Sequence, residues 1–419
     1  MLNRTIEPAL KEIDHINFVA PTKHSVSGRV DLYHMNEVPN ETSRFELYFD
    51  AGKAKGIDSI AGFVNGLLLS GTPDKNSIEI NSQINTLGGF LESGISVENA
   101  TISIYCLKEN LIPILTIVLD AIQNVAFIEK EVNEFLADRK VGHNVSLEKV
   151  GFLAQREFQE RLFGSNEIYS KALKPSDFET ISIEKLKEFH SENYLNGLEK
   201  VVIVGDLNES EIHSIIEATK PFANTKDLSF AKDLSNERGS FTVSKEGALQ
   251  CAVRIGRILF NKNHEDYLDF LILNTIFGDY FGSRLMSNIR EDKGYTYGIG
   301  TMVAELNHTG YFMIATEVGK DVLEPTLKEV KYELNRLQTE LVGEDELQLV
   351  RNYMLGQLLK SADGPYAMTD LFLSVEVHGK DLEFYNLALS KIQNITAERI
   401  QELANKYLNW EDMSIVTAG

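Results

Sequence analysis

Lys108-Glu-Asn-Leu111-Ile-Pro113-Ile-Leu115-Thr-Ile-Val118, running on to Ile122, returns later in the chain as Lys320-Asp-Val-Leu323-Glu-Pro325-Thr-Leu327-Lys-Glu-Val330, running on to Leu334. Matched positions are 212 residues apart (320 − 108). A second pair, Ile181-Ser182-Ile-Glu184-Lys-Leu186-Lys-Glu188-Phe189 and Ile395-Thr396-Ala-Glu398-Arg-Ile400-Gln-Glu402-Leu403, keeps the same order at an offset of 214 (395 − 181). Each of these sets Ser or Thr before an acidic first turn, the arrangement of a helix N-cap. Two amphipathic helices often resemble one another by chance. Two long matches in one order at nearly one offset do not, so the chain reads as two homologous halves of about 200 residues, each of ordinary domain size.

The join is expected at residues 222–240, FANTKDLSFAKDLSNERGS, which have no apolar period and suit a linker between halves at 1–221 and 241–419. Strands are expected over Arg44–Ala51, Ala100–Leu107, Lys200–Gly205 and His308–Thr316, which alternate or are rich in β-branched and aromatic residues. Helical spacing predicts helices over Ser59–Leu69, Leu111–Ala126, Ile183–Tyr194, Tyr267–Phe277, Leu323–Leu337 and Asp345–Leu359. Interleaved strands and helices in both halves give an α+β or α/β class, and two similar halves suggest a cavity between them.

Composition bounds the function. The chain has 419 residues, 43% hydrophobic and 25% charged, with a formal net charge of −21. These are globular values, and an acidic balance argues against nucleic-acid binding, which needs a basic footprint. It is compatible with basic peptide ligands. The longest uncharged run, Ser59–Pro73, holds three glycines and falls short of the roughly 20 apolar residues of a membrane span. The start, MLNRTIEPALKEID, has no basic region followed by an apolar core, so the expected location is cytoplasmic. Cys106 and Cys251 are too few for a disulfide framework and read as small buried hydrophobes.

Ile60, Phe63, Val64, Leu67 and Leu68 form one apolar helix face, and a second stripe carries Gly62, Asn65, Gly66 and Leu69. Glycine inside a helix costs roughly 1 kcal/mol relative to alanine. Either these glycines admit another backbone at close range, or they mark a site that has been emptied.

The run Ile60-Ala-Gly62-Phe63-Val64-Asn65-Gly66-Leu-Leu-Leu-Ser-Gly71-Thr72, with Leu87-Gly88-Gly89 after it, resembles the signature helix of the pitrilysin/insulinase-type metallopeptidases, the inverted zincins. In active members of that family the helix reads His-x-x-Glu-His. The two His bind zinc, and the Glu takes a proton from the zinc-bound water. Those three positions fall here on Gly62, Asn65 and Gly66. Glycine offers no ligand atom, and a neutral amide cannot act as general base. The family's third ligand is a Glu expected near 135–147, a stretch with no Glu, where Asp138 and His143 are the nearest candidates. None of the nine histidines has another four residues away, and lone ones such as His143 or His190 read as surface or satisfied residues. The expectation is that this chain binds no metal of its own, zinc lying on a partner.

In the second half, Ser283-Arg284-Leu285 leads into Ile289-Arg290-Glu291-Asp292-Lys293-Gly294-Tyr295-Thr296-Tyr297-Gly298, which resembles the family's second signature, Arg-Glu-x-x-Gly-x-x-Tyr. The resemblance implies that Arg290 and Tyr297 hold a substrate carbonyl and stabilise its oxyanion. The plainer alternative is a surface ion pair of Arg290 with Glu291 or Asp292 and a core position for Tyr297. The implied fold is α+β, two homologous domains, each a mainly antiparallel sheet with helices packed on it, facing one another across a cavity. The implied function is the non-zinc subunit of a metallopeptidase heterodimer, inactive alone and acting with a zinc-bearing homologous chain on a peptide or unfolded polypeptide. Pairing of two copies of this chain is an open possibility. The family also captures extended peptides by strand addition, which makes Phe90-Leu91-Glu92-Ser93 a candidate edge. Two rivals are an inert peptide-binding or assembly scaffold of the same fold, and an independent enzyme with metal at an unforeseen site.

Overall fold

The computed structural model describes residues 13–36, 41–55, 60–164, 169–170, 172–224, 234 and 236–419. The earlier part of the chain runs β1 (Thr22–Ser27), β2 (Val30–Met35), β3 (Thr42–Phe49), α1 (Ile60–Leu67), α2 (Ser77–Thr86), β4 (Phe90–Ile95), β5 (Ala100–Leu107), α3 (Leu111–Gln123), α4 (Glu129–Leu147), α5 (Val150–Phe163), α6 (Asp177–Thr180), α7 (Ile183–Asn193), β6 (Leu198–Val204) and α8 (Glu209–Thr219). The later part runs β7 (Gly239–Val243), β8 (Gln250–Leu259), α9 (Tyr267–Phe277), a π-helix (Met286–Asp292), β9 (Thr296–Glu305), β10 (Gly310–Gly319), α10 (Leu323–Thr339), α11 (Glu344–Ser361), α12 (Gly364–Glu376), α13 (Glu383–Asn394), α14 (Ala397–Tyr407) and β11 (Ser414–Ala418).

Strand order is β1-β2-β6-β3-β5-β4 in the first sheet and β7-β11-β8-β10-β9 in the second. β2 runs parallel to β6, β7 runs parallel to β11, and every other neighbouring pair is antiparallel. Laid strand on strand, β2-β6-β3-β5-β4 and β7-β11-β8-β10-β9 are one topology, to which the first sheet adds β1. The repeated segments fall on equivalent elements: α3 and α10 follow β5 and β10, and α7 and α14 precede β6 and β11. The expected N-caps form, Ser182 Oγ accepting from Lys185 N and Thr396 Oγ1 from Arg399 N.

Apolar side chains of α1, α3 and α7 bury one face of the first sheet: Phe63, Val64, Leu115, Val118 and Leu186 pack with Phe45, Leu47 and Ile104. In the second, Phe270, Leu273, Val330 and Leu334 pack with Ile255, Phe312 and Ile314. The opposite faces are covered by exchange. α5 lays Ala154, Phe158 and Leu162 onto Ala252, Met313, Val416 and Ala418 of the second sheet. Its counterpart α12 returns across the first, where Phe372 meets Tyr33 at 4.9 Å and Asp370 pairs with Arg44 at 2.6 Å. Each half thus completes its sheet with a helix from the other.

Several boundaries differ from expectation by one to three residues, and three of the differences bear on the fold. The strand placed at His308–Thr316 is Gly310–Gly319, because Leu306 N bonds Thr309 O at 3.0 Å and closes the β9–β10 turn ahead of it. The strand placed at Arg44–Ala51 starts at Thr42, which pairs with Leu107, and ends at Phe49. Both ends of the expected linker belong to the fold, since Phe222 is buried in the first core and Gly239–Ser240 open β7. Its residues 225–233 and 235 lie outside those described. Both cysteines are buried and free. No described helix is long and apolar enough to cross a membrane.

Candidate functional site

Helix α1 presents Ile60, Phe63, Val64 and Leu67 to the core, which leaves the second stripe to meet α4 and α7. Asn65 is buried and its Nδ2 donates to Tyr194 Oη at 3.2 Å. Tyr194 is fully buried, with Phe49 at 5.0 Å and the His190 ring stacked at 6.0 Å. Burial holds its phenol well above the ordinary range, so it stays protonated and its oxygen takes Asn65's hydrogen.

The two glycines differ. A Cβ on Gly62 would meet open space, whereas one on Gly66 would lie 2.4 Å from Phe135 Cζ and 2.7 Å from Phe135 Cε2. Gly66 therefore makes room for a side chain from α4 and not for a backbone. Phe135, capped by the Arg139 guanidinium 5.0 Å away, occupies the ground beside position 66. Of the other candidates on α4, Asp138 is exposed. His143 is buried between Phe152 at 6.0 Å and Phe178 at 5.9 Å, with Nε2 unpartnered. It is thus neither a surface nor a hydrogen-bonded residue at that nitrogen, and burial lowers its pKa toward the neutral form. His190 is satisfied, its Nε2 lying 2.7 Å from Ile122 O. Among the described residues no three of His, Cys, Asp and Glu converge on a point that could hold an ion. A zinc ion does not fit residues that put hydrogens, an amide and a phenyl ring where the donors belong.

The Phe135–Gly66 contact is testable. Gly66→Ala gains about 1 kcal/mol of helix propensity but must displace the ring. In a Phe135→Ala background the same change is expected to stabilise by about that amount. Urea titration of the four variants measures the coupling, and an equal effect of Gly66→Ala in both backgrounds would show that no such contact exists.

In the second half the chain leaves the π-helix through Gly294, whose φ of 67° suits glycine, and enters β9. Single π-turns often mark functional sites. This one is pinned by Asn288 Nδ2, which donates to Glu329 at 3.0 Å and Glu333 at 2.7 Å. Just ahead of it, Arg284 grips Glu346 through two bonds of 2.8 Å. Arg290 forms no ion pair with Glu291 or Asp292; its guanidinium stacks over exposed Phe281 at 4.5 Å. Tyr297 is no core residue either, being 98% exposed. The register explains it: Thr316 faces Ile299 and Val318 faces Thr296, so Tyr297 and Gly298 together oppose Glu317 in a bulge. Bulges re-aim side chains. Thr296 Oγ1, donating to Glu317 O at 2.8 Å, and Thr316 Oγ1, donating to Gly298 O at 2.9 Å, fix this one. Among the described residues neither Arg290 nor Tyr297 spends a hydrogen-bond donor on the protein, and no bond joins them to each other or to α1.

The candidate edge lies at an edge. Among the described residues β4 pairs only with β5 and ends the first sheet, as β9 ends the second. Phe90, Glu92 and Ser93 are exposed, while Leu91 packs on the core. Sequence reasoning gave no role to Phe281, Asn288, Thr296 or Phe135; Thr296, inside the second signature, and Asn288, immediately ahead of it, carried a signal of position that could have found them.

Comparison with known proteins follows the same division. A family model described as insulinase (peptidase family M16) matches residues 33–150, and one described as the peptidase M16 inactive domain matches 180–354. An uncharacterised zinc protease of Rickettsia felis is 24% identical over 397 residues, 90% of each chain. A probable mitochondrial-processing peptidase subunit beta of Arabidopsis thaliana is 19% identical, over 90% of this chain and 74% of the relative. The crystal structure of a peptidase M16 inactive domain from Pseudomonas fluorescens superposes with a TM-score of 0.85 at 23% identity, covering 96% of this chain and 98% of that one.

Proposed function

Because the chain belongs to peptidase family M16, the insulinase family, we propose that it is the non-zinc-binding subunit of a metallopeptidase heterodimer. The observation that carries this reading is a contrast within one chain. The half that aligns with the zinc helix has lost its donors at Gly62, Asn65 and Gly66, while the other half holds Arg290 and Tyr297 with their donors unspent. A scaffold has no use for a guanidinium and a phenol left without an internal hydrogen-bond partner.

In the complex, zinc on the partner supplies the Lewis acid and the activated water. This chain's part is to hold the substrate. An extended peptide adds to the exposed edge of β4 along Phe90–Ser93, donating and accepting main-chain bonds. Arg290 and Tyr297 donate to the scissile carbonyl oxygen and stabilise it as charge develops there. The relatives named as subunits of a processing peptidase support a two-chain assembly.

Reconstitution tests the proposal. The isolated chain is expected to cleave nothing, and mixing it with the zinc-bearing homologue from the same source should produce peptidase activity that neither chain shows alone. Peptide binding by this chain with no gain in turnover on mixing would instead favour the inert scaffold.

A further inference from the structure

A pocket of about 470 Å³ opens at the seam between the halves, lined by Arg29, Tyr48, Glu199 and Lys200 of the first and Asn307 and Glu376 of the second. Glu199 reaches it through a bulge. The β3–β6 register steps from Tyr48 opposite Lys200 to Phe49 opposite Leu198, which leaves Glu199 as the extra residue. Leu198 and Val201 on either side keep their places in the core. The strand has gained one residue whose side chain is turned toward the seam.

The two cations whose charges reach that carboxyl, Lys200 and Lys55, are each paired with another carboxylate. Lys200 pairs with Glu376, which also accepts from Tyr33 Oη at 2.8 Å. Lys55 pairs with Asp50 at 2.8 Å. Another neighbour, Glu98, is one of the direct ties between the halves: it accepts from Asn307 N at 2.7 Å and from Tyr169 Oη at 2.9 Å. That bond joins the β4–β5 turn to its counterpart, the β9–β10 turn. No hydrogen bond or ion pair to Glu199 itself is found among the described residues. An ionised Glu199 would therefore face the charges of Asp50 and Glu98, with Lys55 and Lys200 already shared with Asp50 and Glu376.

We propose that Glu199 is a proton-controlled latch on this seam, favouring the closed arrangement of the halves when protonated and loosening it when ionised. Burial first, and then the charges of Asp50 and Glu98, push its pKa from 4.5 up to about 7, against the opposing pull of Lys55 and Lys200. The folded value lies above the ordinary one, so closing the seam takes up a proton. The closed state is favoured most at low pH, loses ground as pH rises from about 4.5 to about 7, and changes no further above that.

Hydrogen exchange of the Asn307 amide, which donates across the seam, reads the latch. Corrected for intrinsic exchange, its protection in the full chain is expected to fall about tenfold between pH 6 and pH 8. Glu199→Gln, neutral at both, should show no such step. A flat profile in the natural protein, or a step that persists in Glu199→Gln, overturns the proposal. Should the variant fail to fold, carbon-13 titration of the Glu199 carboxyl in the natural protein decides the matter: a midpoint near neutrality supports the latch, and one in the ordinary carboxylate range refutes it.

Discussion

Truncating Phe158 to alanine is expected to cost about 3–5 kcal/mol of unfolding free energy, and to lower the stability of the half in which Phe158 does not lie. The ring belongs to α5, a helix of the first half, yet it is fully buried against the second sheet. Tyr311 approaches it at 6.2 Å, and Gly256 is bare where it passes: a Cβ there would come within 2.9 Å of Phe158 Cζ. Removing the ring leaves a cavity that neither a β-strand nor an anchored helix can close. The chain's one tryptophan, Trp410, packs on the second core and so reports that half alone. Its fluorescence midpoint in urea should shift with the midpoint followed by circular dichroism. A Trp410 transition that stays in place would mean the exchanged helix gives the second sheet no support.

That exchange was the least legible part of the fold. Ala154, Phe158 and Leu162 recur at helical spacing, which says that α5 has one apolar face but not which sheet receives it. Periodicity is a local signal, and the partner is a matter of topology. The duplication was legible because it survives as aligned text: Lys108 and Lys320 head equivalent helices, and the paired caps Ser182 and Thr396 do what their residue types allow. The reading of Gly62, Asn65 and Gly66 as emptied positions rests on spacing against a known signature, which the chain carries as text. Phe135 could not, since nothing in FLADRKVGHNVSL tells which of its side chains faces α1. Tyr297 shows the same limit in a strand. Alternation alone puts it on the buried side with Ile299, and one bulged residue, invisible in sequence, turns it to solvent.

The exposure of that pair sets the second large expectation. If Arg290 and Tyr297 stabilise charge on the scissile carbonyl in the assembled peptidase, Arg290→Ala should lower kcat about 100- to 1000-fold, or roughly 3–4 kcal/mol of transition-state stabilisation. KM should change little, because a donor that strengthens only as the oxyanion forms contributes little to substrate binding. Tyr297→Phe removes a single neutral donor and should cost less than loss of the charged one. Arg290→Lys is expected to recover part of the rate, since an ammonium keeps the charge but not the planar fork that lies over Phe281. Neither side chain bonds to the rest of the protein among the described residues, so these changes should leave folding and association with the zinc-bearing chain intact. That separation makes the measurement decisive. A loss of rate at unchanged assembly and unchanged zinc content places the two residues at the reacting carbonyl. Full activity in Arg290→Ala would leave the unspent donors without a catalytic use and reduce this chain to a peptide-binding wall.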